Sequence, residues 1–400
     1  MTIRQLFPEV RPSLLLDFMN SETVNPQVPF SRASGATYMD QEGILREAVA
    51  NQPRIDYDPV TKVCKGLLFE NQSTNLITNP RAAGAVAGTP GTVPTNWILT
   101  NTAAHARRIV GTGTLNGIPY IDIEYTVSAG AAALGLIIPT DPVGTPNTTY
   151  FGSCYMQVIS GTAPQMRFVW QDGVNTYNDA FFTVSTSTFT RYQSSFTSEP
   201  GATLARLVIG VNASAGGTVF TIRFGGPQTE VGTYVSSLIL PPVNTLAAST
   251  RAADSLITTS IGSWFNPSAG TWVVSGSTLA SGTQPLVSLD DGTTNEEIRI
   301  FTSGTDPQFV VRDGAVNQAS IDTGTITAGT TFKMVAAYAA NDFAASLNGA
   351  AVVTDTSGTI PTVDRVRVGT NRGGNQLVGY VEKVAYYPER LNNSQLARLT

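Results

Sequence analysis

The chain has 400 residues, too many for one ordinary hydrophobic core, so two or three domains are expected. Charged residues make up only 13%, 24 basic and 29 acidic, scattered rather than blocked, for a net charge of −5. No basic stripe exists for phosphates, which argues against a nucleic-acid partner, and no apolar run approaches the roughly 20 residues that span a bilayer, so membrane insertion is not expected.

The first 78 residues lack any long periodic element. They read as a leading tail, a strand at 13–18, and a hairpin of 36–39 with 44–47 in which Gly43 supplies a positive φ at low cost. The early apolar cluster Leu14-Leu15-Leu16 is too short for a signal-peptide core, so manufacture without classical secretion is expected. Two more short strands, 54–58 and 66–70, are divided by the turn Asp58-Pro59-Val60-Thr61. Such a segment buries little surface alone and is expected to pack on a neighbour or on another copy of the chain.

From 79 to 250 the pattern changes to strand signals of five to nine residues separated by Gly, Pro, Ser and Asn: 118–127, 150–159, 165–170, 181–184, 190–197, 204–211 and 219–224. These make an antiparallel jelly roll, entered by a mobile loop at 79–95 and left through a linker at 239–250. Trp97 is expected to plug its core. From 251 to 400 strands are predicted at 270–275, 285–289, 296–302, 308–312, 332–338, 344–347, 365–369 and 378–386, with Asp291-Gly292, Asp313-Gly314 and Asn348-Gly349 as turns. Trp264 and Trp272 are expected to plug that core or the domain junction, and residues 393–399 form a closing helix capped by Asn393 or Ser394. The predicted fold class is therefore all-β: an N-terminal strand and hairpin anchoring segment (1–78) followed by two antiparallel sandwiches (79–250 and 251–400).

Cys64 and Cys154 show no C-x-x-C pattern and sit in different predicted parts, so both are expected as buried thiols rather than a disulfide or zinc site. The single histidine, His105, has no Gly-x-Ser-x-Gly elbow beside it and is expected on the surface at a sandwich edge. Asp290-Asp291 and Glu296-Glu297 flank one hairpin, yet neighbours along a strand point to opposite faces, so neither pair is a ready-made glycosidase dyad. No catalytic residue, no metal site and no cofactor are expected, calcium being the one ion that loops of such a sandwich leave open. Sugars are bound by flat aromatic faces and by amide, carboxylate or guanidinium groups. Trp170, Asn175, Tyr177 and Asn178 around one hairpin, and Asn371 and Arg372 in a polar loop, are the candidate carbohydrate-binding residues, although Trp170 shares its strand face with Phe168 and so follows it into any core.

The closing run from Ser346-Leu347-Asn348-Gly349 to Tyr386-Tyr387-Pro388-Glu389-Arg390-Leu391 resembles a concanavalin A-like or laminin-G-like sandwich. Three stretches near the start, Pro29-Phe30-Ser31-Arg32-Ala33-Ser34-Gly35-Ala36-Thr37-Tyr38, Pro53-Arg54-Ile55-Asp56-Tyr57-Asp58-Pro59 and Gly66-Leu67-Leu68-Phe69-Glu70-Asn71-Gln72-Ser73-Thr74-Asn75-Leu76, resemble the segment of bacteriophage head-spike and fibre proteins that precedes carbohydrate-binding-module-like and concanavalin A-like sandwiches. Residues 225–237 and Thr250-Arg251-Ala252-Ala253-Asp254 resemble the close and exit of the middle module. The resemblance implies a noncatalytic virion structural protein, assembled in the host cytoplasm. Its partners would be other virion proteins and host surface glycans, in a homo-oligomer for which a trimer is the first guess. A purely architectural bridge between capsid or tail subunits is the alternative reading, and a polysaccharide depolymerase the third.

Overall fold

The computed structural model describes residues 11–21, 23–99, 105–127, 134–162, 165–212 and 218–400. Alternating apolar and small polar residues give strands nearly throughout: among the described residues there are thirty strands and one helix, Asn393–Leu399. The same residues include no helix long and apolar enough to cross a membrane. The chain divides into two compact units, one of residues 11–43, 48–72 and 252–400 and the other of 44–47 and 73–251.

The first unit is a sandwich of an eight-stranded and a seven-stranded sheet. Within the eight-stranded sheet, Gly379–Tyr387 pairs with Ala269–Thr278 on one side. Its other side takes both Leu14–Asp17, with Leu16 opposite Val384, and Cys64–Phe69, with Leu67 opposite Val381. The expected division into three parts therefore comes out differently. Residues 11–72 contribute most of their length to the C-terminal sandwich, because Leu14, Leu16, Phe18, Leu67 and Phe69 have no core of their own and bury in its interior. Each such side chain is worth about 1.5–3 kcal/mol when removed from water. Trp264 and Trp272 lie in this core as expected, perpendicular to one another with ring centres 6.2 Å apart. The helix covers the other face of the eight-stranded sheet through Leu396. Its cap is Asn392, one residue ahead of the expected pair: the Asn392 side chain accepts from Gln395 N and the Gln395 side chain accepts from Asn392 N, a reciprocal capping box.

Turn chemistry sets the hairpins. Asn348 and Gly349 both have positive φ, 50° and 75°, the geometry a two-residue turn needs to match strand twist. The turn expected at Asp313-Gly314 falls one residue later, on Gly314 and Ala315, since Asp313 pairs with Val316.

A buried ionic knot fastens the early segment inside this unit. Arg32 Nη1 lies 3.1 Å from Asp254 Oδ1, Arg54 Nη2 lies 2.5 Å from Asp254 Oδ2, and Arg54 Nη1 lies 2.6 Å from Glu70 Oε2. Two cations face two anions, all buried. Burial alone would lower the Arg54 guanidinium, but Asp254 and Glu70 outweigh it and hold the group above its ordinary value.

The second unit packs a five-stranded sheet on a six-stranded one. Ile118–Val127 and Thr190–Thr197 form as predicted, whereas the long strand His105–Leu115 was not foreseen. His105 is not at the surface: it is 2% exposed, with its ring 6.0 Å from that of Tyr125. Trp97 is buried edge-on to Phe224. The stretch 79–95, expected as a mobile loop, is tied down by paired hydrogen bonds between Val86 and Thr92 and between Gly88 and Ile109. Cys154 is buried here and Cys64 half-buried in the first unit, and both thiols are free. A second polar knot closes this unit. Glu230 accepts from Ser73 Oγ, Gln228 Nε2 and both the amide and hydroxyl of Ser236 at 2.6–2.8 Å. Asn75 donates to Pro227 O and Ile239 O, and accepts from Ile77 N and Thr229 N.

Candidate functional site

The outward face of the five-stranded sheet carries the best-organised set of rings and charges in the second unit. In its three central strands, Cys154, Met156, Val158, Phe220, Ile222, Phe224, Ile121, Ile123 and Tyr125 fill the core. Residues alternating with them face away. Register sorts these into rows: Gly113, Tyr120, Gly225, Tyr155 and Arg191 in one, then Gly111, Asp122, Arg223 and Gln157, then Arg108, Glu124, Thr221 and Ser160.

Glycines make room for the rings. A Cβ on Gly113 would stand 2.7 Å from Tyr120 Oη, and one on Gly225 would stand 2.2 Å from Pro119 O and 3.2 Å from Phe189 Cζ. The Tyr120 ring thus reaches over one backbone gap and Phe189 over the other. Phe189 meets Tyr120 edge-on at 6.2 Å and Tyr155 at 5.6 Å, and the Arg223 guanidinium lies 3.8 Å from the centre of the Tyr120 ring.

The charges are fixed in pairs. Arg223 Nε and Nη2 each donate to Asp122 at 2.9 Å, and Arg108 Nε and Nη2 donate to Glu124 at 2.6 and 2.9 Å. Hydrogen bonding to Arg108 holds the Glu124 carboxyl below its usual range, and hydrogen bonding to Asp122 holds the Arg223 guanidinium above its own. Each bidentate pair uses Nε and one terminal nitrogen, so the other terminal nitrogen and the remaining carboxylate lone pairs are what the face offers a ligand. Gln157 adds an amide, anchored by Nε2 to Thr186 O. Flat ring surface beside oriented donors and acceptors suits hydroxylated, partly apolar ligands.

No family model matches the sequence, and no curated protein does. Structural neighbours include carbohydrate-binding modules and laminin G domains with β-sandwich folds, and also Trypanosoma rangeli sialidase. The Ruminococcus gnavus IT-sialidase CBM40 bound to alpha2,6 sialyllactose is 18% identical over 34% of this chain and 84% of its own, with a TM-score of 0.31. The tandem CBM22 domain of Paenibacillus barcinonensis Xyn10C is 11% identical over 76% of this chain and 97% of its own, with a TM-score of 0.25. Domains LG4-5 of the mouse laminin alpha1 chain are 10% identical over 75% and 96%, with a TM-score of 0.26.

The six residues singled out from sequence do not form one site. Trp170 is 0% exposed, stacked on Phe196 at 4.6 Å with Nε1 donating to Ser194 Oγ, so it is a core residue that no ligand can touch. Strand alternation sent it inward with Phe168. Tyr177 lies opposite Trp170 and shares its hydroxyl between Asp172 and Glu199, which leaves it as scaffolding for the loop. Asn175 and Asn178 are exposed beside it. In the other unit Asn371 is 5% exposed and its Oδ1 accepts from Asn375 N, while Arg372 is exposed and donates through Nε to Gly292 O. Sequence reasoning missed Tyr120, Asp122, Glu124 and Arg108. A signal was present: Asn116-Gly117, with φ of 49° and 77°, is a two-residue hairpin turn that sets Arg108 opposite Glu124.

Proposed function

We propose that this chain is a noncatalytic bacteriophage virion protein, of the head-spike or fibre kind, that binds host surface glycans through the outward face of the five-stranded sheet. The glycan reading is carried by one observation: the Arg223–Asp122 pair stacked on Tyr120, beside Phe189 and a second bidentate pair, puts ring surface and fixed hydrogen-bonding groups in adjacent rows. The virion reading rests on the sequence resemblance, whose segments supply the residues of both buried knots: Arg32, Arg54, Glu70 and Asp254 in one unit, Ser73, Asn75, Gln228 and Glu230 in the other. A symmetric oligomer, a trimer in our reading, would sum weak affinities into avidity. Particle attachment through residues 1–78 must then leave Leu14–Asp17 and Cys64–Phe69 in place, because removing those strands would open the eight-stranded sheet of the first unit.

The test is a multivalent display of the chain on an array of host polysaccharides, with Tyr120→Ala and Arg223→Lys as variants. Signal on a defined glycan that both variants lose is the expected result. Absence of signal on every host polysaccharide, or signal indifferent to both changes in folded protein, would refute the assignment. Labelled antibody imaged on intact particles checks the virion role separately, and release of reducing ends from the bound polysaccharide would overturn the noncatalytic part.

A further inference from the structure

The strand Thr190–Thr197 forms one edge of the five-stranded sheet in the second unit. It pairs with Thr149–Gly161 from Thr197 opposite Thr149 to Thr190 opposite Met156, eight residues with no register shift. Ser198 N donates to Thr148 O, which fixes the phase of the ladder. Thr190, Tyr192, Ser194 and Phe196 therefore turn their backbone groups toward the neighbouring strand, and Arg191, Gln193, Ser195 and Thr197 turn theirs away. The N–H and C=O groups of those four residues have no protein partner among the described residues.

An edge of this kind is a template for another strand, and folded chains usually blunt theirs with bulges, charges, proline or brevity. The other edges among the described residues are blunted in this way. His105–Leu115, at the far side of the same sheet, carries a register shift and is crossed by Gly88 at Ile109. Val316–Asp322 carries a register shift as well, and the remaining edge strands have four residues or fewer. Thr190–Thr197 has none of these guards. Gln193, Ser195 and Thr197 are exposed, and no proline or lysine stands among them. The one charged side chain, Arg191, is drawn back over the sheet, where it donates to Ser153 Oγ and Ser236 O, so it leaves the edge clear.

We propose that this edge pairs with the same edge of a second copy of the chain, antiparallel about a two-fold axis at Ser194. Free groups must meet free groups, so the possible registers differ by steps of two residues. The one centred on Ser194 sets Arg191 opposite the partner's Thr197 and Gln193 opposite the partner's Ser195, and it alone closes every free group on both edges; centring on Gln193 strands Thr197, and centring on Ser195 strands Arg191. The side chains it brings together suit one another. Tyr192 meets the partner's Phe196 on each side of the axis, an aromatic cross-strand pair of the kind that stabilises antiparallel strands. Gln193 stands within reach of the partner's Ser195 hydroxyl, and no two charges face each other. A second copy carries this matching spacing by symmetry, which a foreign strand does not, and that selects the occupant. The axis is two-fold, so the contact stands beside a three-fold one rather than replacing it, and the two together give an even number of copies. The pairing does not depend on what the outward face of the sheet binds.

The experiment measures the mass of the full chain by sedimentation over a range of concentrations, together with hydrogen exchange at the amides of Arg191, Gln193, Ser195 and Thr197. Expected are an even number of copies and exchange at those amides that slows as the copies associate. Gln193→Pro removes an N–H that faces away from the ladder, so the fold is kept while association weakens at least tenfold. Gln193→Lys keeps every backbone group, sets two like charges diagonally across the seam, and is expected to weaken association several-fold. Ser194→Cys puts two thiols at the axis, where facing residues outside the hydrogen-bonded pairs are about 4.5 Å apart, so it should oxidise to a covalent dimer whereas Gln193→Cys should not. A chain that stays monomeric or trimeric at every concentration, an even oligomer indifferent to both Gln193 substitutions in folded protein, or faster crosslinking through Gln193→Cys each overturns the proposal. Slow exchange at these amides without a change of mass overturns it too, because a segment of the chain itself would then cover the edge.

Discussion

Replacing Asp254 by Asn removes the one carboxylate shared by two fully buried guanidiniums. Asn keeps the shape and an acceptor oxygen for Glu70 N, which lies 3.0 Å from Asp254 Oδ2, so the change isolates charge. Removing an arginine would be less clean, because Arg32 also donates to Ser34 O and Val49 O, and Arg54 to Thr37 O. After the substitution Arg54 keeps Glu70 while Arg32 loses the carboxylate 3.1 Å away, and breaking a buried pair in this way costs about 3–5 kcal/mol. For a unit of this size 1 kcal/mol moves the melting temperature by roughly 2–4 °C, so a fall of roughly 6–20 °C is expected. The two thiols assign the loss. Cys64 belongs to the first unit and Cys154 to the core of the second, where burial pushes its thiol well above the ordinary range. Temperature-dependent alkylation read by mass spectrometry at each cysteine should show the Cys64 transition falling and the Cys154 transition holding. A Cys64 shift under about 2 °C, or equal shifts at both thiols, would refute the claim that this knot holds the first unit together.

Three further outcomes are expected. Gly152→Ala places a Cβ 2.6 Å from Trp170 Cζ2 and 3.0 Å from Leu207 Cδ2, so overpacking should destabilise the second unit by about 1–3 kcal/mol, seen as earlier labelling of Cys154. Gly113→Ala pushes on the Tyr120 ring and should weaken glycan binding in the same array that tests the site. Asp58 is held down to about 2, first by the backbone hydrogen bond from Thr61. Since its folded value lies below its unfolded one, its stabilisation is present above about pH 4 and lost as pH falls toward 2. With the side chain a third exposed, the effect should stay below about 1 kcal/mol, and Asp58→Asn should flatten that part of the acid melt.

Strand positions were legible because period-two alternation and Gly-bearing turns are local. Ile118–Val127 and Thr190–Thr197 follow from their own residues, and so does the inward fate of Trp170. What stayed hidden is whatever depends on which strand lies beside which. Nothing in the local pattern of 11–72 says that Gly379–Tyr387 waits more than 300 positions away to pair with Leu14–Asp17. The same limit hid how charges face one another. Asp290 and Glu297 look harmless as neighbours of Asp291 and Glu296, and become a facing pair only through cross-strand register. Arg223 reads as one scattered charge until its strand is set against that of Asp122.

Where the resemblance-bearing residues fall has a consequence for reading function from them. Arg32, Arg54, Glu70, Asn75, Gln228, Glu230 and Asp254 are all buried, and each is spent on partners within its own unit. Such residues fix how the chain's beginning is bound into its sandwiches, and a ligand never meets them. The groups that would meet one on the five-stranded face, Tyr120, Arg223 and Gln157, lie outside every resembling segment. Substituting Gln157 costs the framework little, since surface positions away from buried networks usually change stability by under about 0.5 kcal/mol, whereas Arg223 has to be exchanged together with Asp122, whose carboxylate it holds. Two chains with the same knots could therefore carry unrelated binding specificities. It follows that exchanging the outward rows of the five-stranded face whole, each pair with its partner, should transfer specificity between such chains with little change in their melts, whereas exchanging the knot residues should alter the melts and leave specificity where it was.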